Sequence, residues 1–280
     1  MYNPIKKLNQ VKLSTLNFYA YLLHLASAIG IGFFFLYFPK PVEYNTDLYT
    51  YKITNIDEDN PRNITFAFGD GEAPKIDVSG LSLKLLIVFI FLITAAFHFF
   101  YFTNYRYYKE ILKGRNRFRW IEYGITATIM IFILCVISGV KEIYATLGIV
   151  CLTIVMMSFG YFFEMNKDPK VKLSAIIMGF FILVAVWSII LGNFVPNIIS
   201  AKNDQSFDIP DWVYGVLFPM IFWWASFGIV TILNYKAYRK KNYDFCRYER
   251  YYILLSYFSK AFMGYYLAFG LSRDKPEKKT

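Results

Sequence analysis

The chain has 280 residues, 56% of them hydrophobic and 21% aromatic, with a formal net charge of +10. Soluble domains are usually about 45–50% apolar, and here the basic residues sit in short segments between long apolar runs, so the charge points to a membrane surface and not to nucleic acid. The three cysteines, Cys135, Cys151 and Cys246, make no disulfide framework and no metal cluster.

Seven runs approach the ~20 residues that a bilayer core requires. They cover roughly 17–38, 82–103, 119–140, 144–163, 173–194, 212–234 and 251–270. The first is preceded by Lys6, Lys7 and Lys12 but is too long for a signal-peptide core and has no small-residue cleavage site, so it reads as a retained helix carrying His24. Residues 39–81 then form a long loop with eight acidic and four basic residues. Its strand-like stretches around a Gly-Asp-Gly turn predict a small antiparallel sheet, and Asn63-Ile64-Thr65 is a glycosylation sequon. The second run carries His98, the third opens on Arg119-Trp120-Ile121-Glu122-Tyr123, the fifth holds Trp187, the sixth holds Pro219, Phe222 and Trp223, and the seventh holds Ser256 and Lys260. Pro219 is expected to kink its helix or to be tolerated there. One all-α domain of seven transmembrane helices spans 1–280, with no internal repeat.

Basic residues set its orientation. The side that holds the N-terminus and the loops 104–119, 164–172 and 235–250 carries 18 Lys and Arg, and the other carries 10. The positive-inside rule therefore places the N-terminus in the cytoplasm and the C-terminus outside, with the β-rich loop extracellular.

Lys260 is the residue that needs explaining. A charge at mid-membrane costs roughly 2.5–3.5 kcal/mol on insertion scales. At 1.5 Å per residue it lies roughly 13 Å from the cytoplasmic end of its span, too deep to snorkel easily. His24, His98, Glu122 and Ser256 fall at or just below the same depth, on four different helices. Taken singly, each has a plain reading: a histidine packed between helices, a serine that helps helices pack, a glutamate at the interface. Arg119 reads as an interfacial side chain whose head snorkels outward. Together they form one polar slab. A buried lysine can form a Schiff base with an aldehyde, and the protonated imine then needs a negative partner. Glu122 is the acid expected to be buried at a compatible depth.

With seven spans, the span-seven Ser256-Tyr257-Phe258-Ser259-Lys260 and the span-three Arg119-Trp-Ile-Glu122-Tyr123, the chain resembles microbial-type rhodopsins over essentially its whole length. The inverted orientation, the long first loop and the paired histidines make it similar to heliorhodopsins in particular. The resemblance implies all-trans retinal on Lys260, Glu122 as counterion, Ser256 beside the Schiff base, and His24, His98 and Arg119 in a cytoplasmic-side proton network. It further implies a light sensor with a slow photocycle and no active pumping, with a light-gated or passive proton conductor as the alternative. The protein is expected not to be an enzyme, and to form a homodimer in the cell membrane through residues 40–80, acting on a signalling partner that the residues do not identify. Tyr123, Trp187, Phe222 and Trp223 are expected to wall the polyene. Ile133 and Ser256 stand where outward pumps carry carboxylates, which is the reason to expect no pumping. A seven-span zinc hydrolase would need three histidine ligands, and the chain has two.

Overall fold

The computed structural model describes residues 4–37, 82–140, 142–203, 209–240 and 243–272, together with four short strands between the first two helices. Among the described residues eight helices follow one another: α1 (Pro4–Tyr37), α2 (Leu83–Thr103), α3 (Tyr105–Leu112), α4 (Arg117–Ile137), α5 (Ile143–Met165), α6 (Pro169–Asn203), α7 (Asp211–Tyr238) and α8 (Phe245–Leu271). The strands are β1 (Leu48–Tyr49), β2 (Lys52–Ile56), β3 (Ile64–Ala67) and β4 (Lys75–Ile76). They make two separate antiparallel pairs, β1 with β4 and β2 with β3. Asn63 and the rest of that loop lie outside the described residues.

Seven of the helices are long, and they pack side by side into a closed ring in the order α1, α2, α4, α5, α6, α7, α8 and back to α1, with α2 also touching α8. Six of the seven are long and apolar enough to cross a membrane: α1 from Lys12, α2, α4, α5, α6 and α7. The remaining one, α8, is long enough at 27 residues, yet its tyrosines, serines, arginines and Lys260 keep it off that set. The reason is its place in the ring. Ser256, Ser259 and Lys260 are all buried against protein, so this helix need not present an apolar surface all round. The helix containing Pro219 runs unbroken from Asp211 to Tyr238.

Short, defined connections fix the helix ends. Asn104 caps α3 by accepting from the Arg106 N–H at 2.8 Å, and Asn116 caps α4 by accepting from the Arg119 N–H at 3.2 Å. Gly114 and Gly139, with φ of 74° and 82°, supply the left-handed turns between α3 and α4 and between α4 and α5. The 8-residue α3 lies at the end of the ring where α4 and α8 begin, with Tyr107, Glu110 and Ile111 buried. All three cysteines are free.

The interior is divided by polarity. From Met130, Ile131, Ile133 and Leu134 on α4 across to Ile87, Ile90 and Phe91 on α2 and Met263 and Leu267 on α8, one half is apolar and closely packed. The other half, toward the start of α4 and α8, encloses Asn17, His24, His98, Asn116, Arg119, Glu122, Glu164, Glu249 and Lys260.

Candidate functional site

Lys260 lies at the boundary between those halves. Its Nζ donates to Ser256 Oγ at 2.7 Å and stands 3.5 Å from Glu122 Oε1, with both side chains of the ion pair almost fully buried. Residues 256 and 260 are one helical turn apart, which puts the hydroxyl beside the amine on one face of α8. Glu122 enters from α4, and Tyr101 of α2 donates its phenol O–H to the second carboxylate oxygen at 3.3 Å. The Lys260 ammonium also lies 5.2 Å from the Tyr123 ring centre. The pair is tied at both ends, as a buried ion pair must be if its attraction is to offset the loss of water.

The amine borders a cavity whose empty space, counting its mouth, is about 890 Å³. Its walls are helix faces. Trp120, Tyr123, Thr126 and Met130 line it from α4, and Met156, Phe159, Gly160 and Phe163 from α5. Gly179, Phe180 and Leu183 of α6 and Trp224, Phe227, Gly228 and Thr231 of α7 complete it. Two of the glycines make room for rings: a β-carbon at Gly160 would overlap Trp120, and one at Gly228 would overlap Phe180. An elongated apolar aldehyde suits such a space, because apart from Lys260 nearly everything that lines it is apolar, aromatic or glycine.

The expected aromatic wall is partly corrected. Tyr123 lines the cavity. Trp187 stands one layer behind it, edge-on to Trp224 with ring centres 6.2 Å apart. Phe222 points outward at 65% exposure, and Trp223 packs toward Phe262 at 6.5 Å without lining the cavity. Trp224 does line it. Successive residues on a helix point about 100° apart, so only one of three adjacent rings can face inward, and α7 is apolar on all sides and gives no pattern by which to choose.

Arg119 also departs from expectation. It does not snorkel. Its guanidinium is buried between the carboxylates of Glu164 at the end of α5 and Glu249 near the start of α8, making an ion pair with each. It further lies 4.0 Å from the centre of the Tyr252 ring. Asn116 joins the three: its backbone N–H donates to Glu164 at 2.6 Å and its amide Nδ2 to Glu249 at 2.7 Å. Glu122 is therefore not the sole buried acid of the ring. By sequence Glu164 and Glu249 fall in the loops 164–172 and 235–250, because both stand at helix ends, just beyond the apolar runs.

The histidines come together as expected in depth, with ring centres 5.4 Å apart. His98 Nδ1 is 2.9 Å from Asn17 Oδ1, and Asn17 Nδ2 donates to the Tyr107 hydroxyl at 3.2 Å. Tyr107 in turn donates to Glu249 at 3.2 Å. His24 stacks on Tyr257 at 5.3 Å, and neither of its ring nitrogens has a hydrogen-bond partner among the described residues. Asn17, Tyr101 and Tyr107 are the members that the sequence did not reveal. Tyr101 was the most legible, since it lies three residues after His98 and so on the same face of α2.

The fold is shared with solved microbial rhodopsins. A thermophilic rhodopsin from Rubrobacter xylanophilus matches with a TM-score of 0.65 at 12% identity, over 93% of this chain and 97% of its own. A light-driven proton pump from Leptosphaeria maculans matches with a TM-score of 0.63 at 12% identity, over 92% and 95%. A viral rhodopsin, OLPVRII, matches with a TM-score of 0.56 at 16% identity, over 91% and 97%. At these identities the likeness shows the fold alone. No curated protein matches the sequence. The family model described as Heliorhodopsin matches residues 13–271, which takes in Lys260, Glu122 and the whole polar half of the ring. The chain belongs to the heliorhodopsin family, multi-pass integral membrane proteins that respond to light through retinal.

Proposed function

We propose that Lys260 carries all-trans retinal as a protonated Schiff base, that Glu122 is its counterion and Ser256 its hydroxyl partner, and that the protein is a light sensor with a slow photocycle and without active ion pumping. The observation that carries this reading is the buried Lys260–Glu122 pair, 3.5 Å apart, at the edge of an apolar cavity. Retinal, when bound, supplies the absorption of light and a change of shape beside the lysine nitrogen. The chain's own residues do the rest. Glu122 balances the positive charge, Tyr101 and Ser256 hold the two members of the pair in place, and Trp120, Tyr123, Trp224 and Phe227 confine the space and keep water from the amine.

In this reading the N-terminus lies in the cytoplasm and the loop between α1 and α2 lies outside. Arg106, Lys109, Lys113, Arg115, Arg117, Arg239, Arg247 and Arg250 all fall at the end of the ring where α4 and α8 start, in keeping with the positive-inside rule. The absence of pumping rests on the division of the interior. Polar groups connect the Lys260 region toward that end, whereas Met130, Met263, Leu267, Ile87 and Phe91 fill the other side. Among the described residues the carboxylate and imidazole groups near the lysine nitrogen lie toward that same end, the buried Glu142 at the far end of the ring being cut off from it by this apolar layer, and vectorial transport needs access from both. A light-gated proton leak is the second reading, favoured by the run His98–Asn17–Tyr107–Glu249, which supplies half of a path.

Two measurements test the reading. The protein purified with retinal gives a visible pigment, and Lys260→Ala gives a folded protein without one; a covalently bound pigment in Lys260→Ala refutes the assignment. In voltage-clamped cells under light, a sustained current at zero driving force contradicts a non-pumping sensor, and a current that reverses at the proton equilibrium potential identifies the leak.

A further inference from the structure

Between Glu122 and Glu249 lie two tyrosines whose phenols address different carboxylates. Tyr101 of α2 donates to Glu122 Oε2 at 3.3 Å, and Tyr107 of α3 donates to Glu249 Oε1 at 3.2 Å. Their rings stack at 4.7 Å with an interplanar angle of 22°. Both are almost completely buried. Tyr107 is held from a third side by Asn17 Nδ2 at 3.2 Å, and Tyr101 by the edge-on ring of His98 at 5.5 Å. A short amphipathic helix on the polar end of the ring thus reaches the counterion through two rings in contact.

We propose that Tyr101 is a positioning residue for the Glu122 carboxylate, and that its stack on Tyr107 couples the Lys260–Glu122 pair to Glu249 and to helix α3. This rests on the assignment of Glu122 as counterion. A change in the charge or position of Glu122 alters the bond from Tyr101. Because the two flat rings are stacked and closely packed, Tyr101 cannot shift without displacing Tyr107. Tyr107 then changes its contact with Glu249, and α3, which carries exposed Arg106, Lys109 and Leu112 on its outer face, moves with it. That makes α3 a surface element connected to the light-responsive site. Burial, with the Glu249 carboxylate beside it, raises the Tyr107 phenol above its ordinary range, so it stays a donor.

The readout is the acid transition of the pigment, in which protonation of the counterion shifts absorption to the red. Lys260 of α8, Tyr101 of α2 and Tyr123 of α4 are the titratable groups that face that carboxylate, His98 of α2 and His24 of α1 lie on the far side of Lys260, and Arg119 of α4 is engaged with Glu164 and Glu249. Glu249 and Tyr107 lie beyond Tyr101. Tyr101→Phe keeps the ring and removes the donor. The carboxylate then holds its charge less well, so the acid midpoint rises by about one pH unit, the order expected for one hydrogen bond to a charged group. At neutral pH the more concentrated negative charge shifts the absorption maximum to the blue. Tyr107→Phe leaves the Tyr101 bond in place and moves the midpoint less, while Glu249→Gln moves the Tyr101 ring signals in a light-minus-dark infrared spectrum.

The outcomes separate cleanly. If Glu122→Gln leaves spectrum and titration unchanged, the counterion assignment fails. If Glu122→Gln changes both but Tyr101→Phe matches the parent, the positioning role is overturned. If Tyr101→Phe acts while Tyr107→Phe and Glu249→Gln leave midpoint and infrared bands unchanged, the coupling to α3 is overturned. Should Tyr101→Phe fold without pigment, Tyr107→Phe carries the test of coupling in the same way, and Tyr101→Gln, which can restore a donor, must recover pigment for the positioning role to stand.

Discussion

Arg119→Gln is the substitution with the largest expected cost to stability. Its guanidinium is 3% exposed and faces two carboxylates, Glu164 and Glu249, each 1% exposed. Without it those acids keep, among the described residues, only neutral donors: the Asn116 N–H and Nδ2 at 2.6 and 2.7 Å and the Tyr107 hydroxyl at 3.2 Å. Removing one partner from a buried ion pair costs about 3–5 kcal/mol, because a charge is left uncompensated out of water. At about 2–4 °C per kcal/mol for a chain of more than 150 residues, the midpoint falls by roughly 6–20 °C. Thermal loss of the helical circular dichroism signal of the pigment, with its absorbance followed in parallel, measures this. Adding Glu249→Gln to Arg119→Gln removes one of the stranded charges and recovers part of the loss, which a double-mutant cycle reads as coupling. Arg119→Lys recovers less than full stability, since one ammonium cannot match the two-sided geometry of the guanidinium. A midpoint for Arg119→Gln within about 2 °C of the parent would refute the argument, for it would mean that the two acids are solvated or neutral in the folded protein.

Gly160→Ala places a methyl group where the Trp120 ring lies; the ring is driven into the cavity, and pigment yield on adding retinal drops while the helical signal persists, with overpacking costing about 1–3 kcal/mol. Burial alone would raise the Glu110 carboxyl, but the hydrogen bond and charge of Arg115, helped by Arg117 and Lys113, hold it below the ordinary carboxylate range. Its stabilising effect is therefore complete above the unfolded value of about 4.3 and is lost as pH falls through the lower folded value. Glu110→Gln should flatten that acid limb in a plot of melting temperature against pH, and an unchanged limb would remove Glu110 as its source. Deleting most of residues 40–80, which are proposed as the homodimer interface and lie largely outside the described residues, should shift the protein from dimer to monomer in light scattering while the visible pigment remains.

Much of this protein could be read from its sequence because a bilayer imposes a one-dimensional code. An apolar run of about 20 residues has few alternatives to a spanning helix. A lysine at the centre of such a run demands a partner, and depth counted along each helix brought Lys260, Glu122, Ser256, His24 and His98 to one level before any contact was known. Direction around the helix axis was not legible in the same way. Helices such as α7 face lipid on one side and an apolar cavity on the other, so Phe222, Trp223 and Trp224 look alike in composition and only the packing of the ring selects Trp224. Nor could composition show that Glu164 and Glu249, at the ends of α5 and α8, turn inward to share one guanidinium. Residues at helix ends can reach either water or the interior, and that choice is made by the partner waiting on a distant segment: here Arg119, 45 positions before one acid and 130 before the other. Tyr101 and Tyr107 were hidden for a related reason. A ring in a chain that is 21% aromatic carries no signal by itself; its meaning comes from the neighbour it stacks on and the oxygen its hydroxyl reaches, and both are set only when α2, α3 and α8 close on one another.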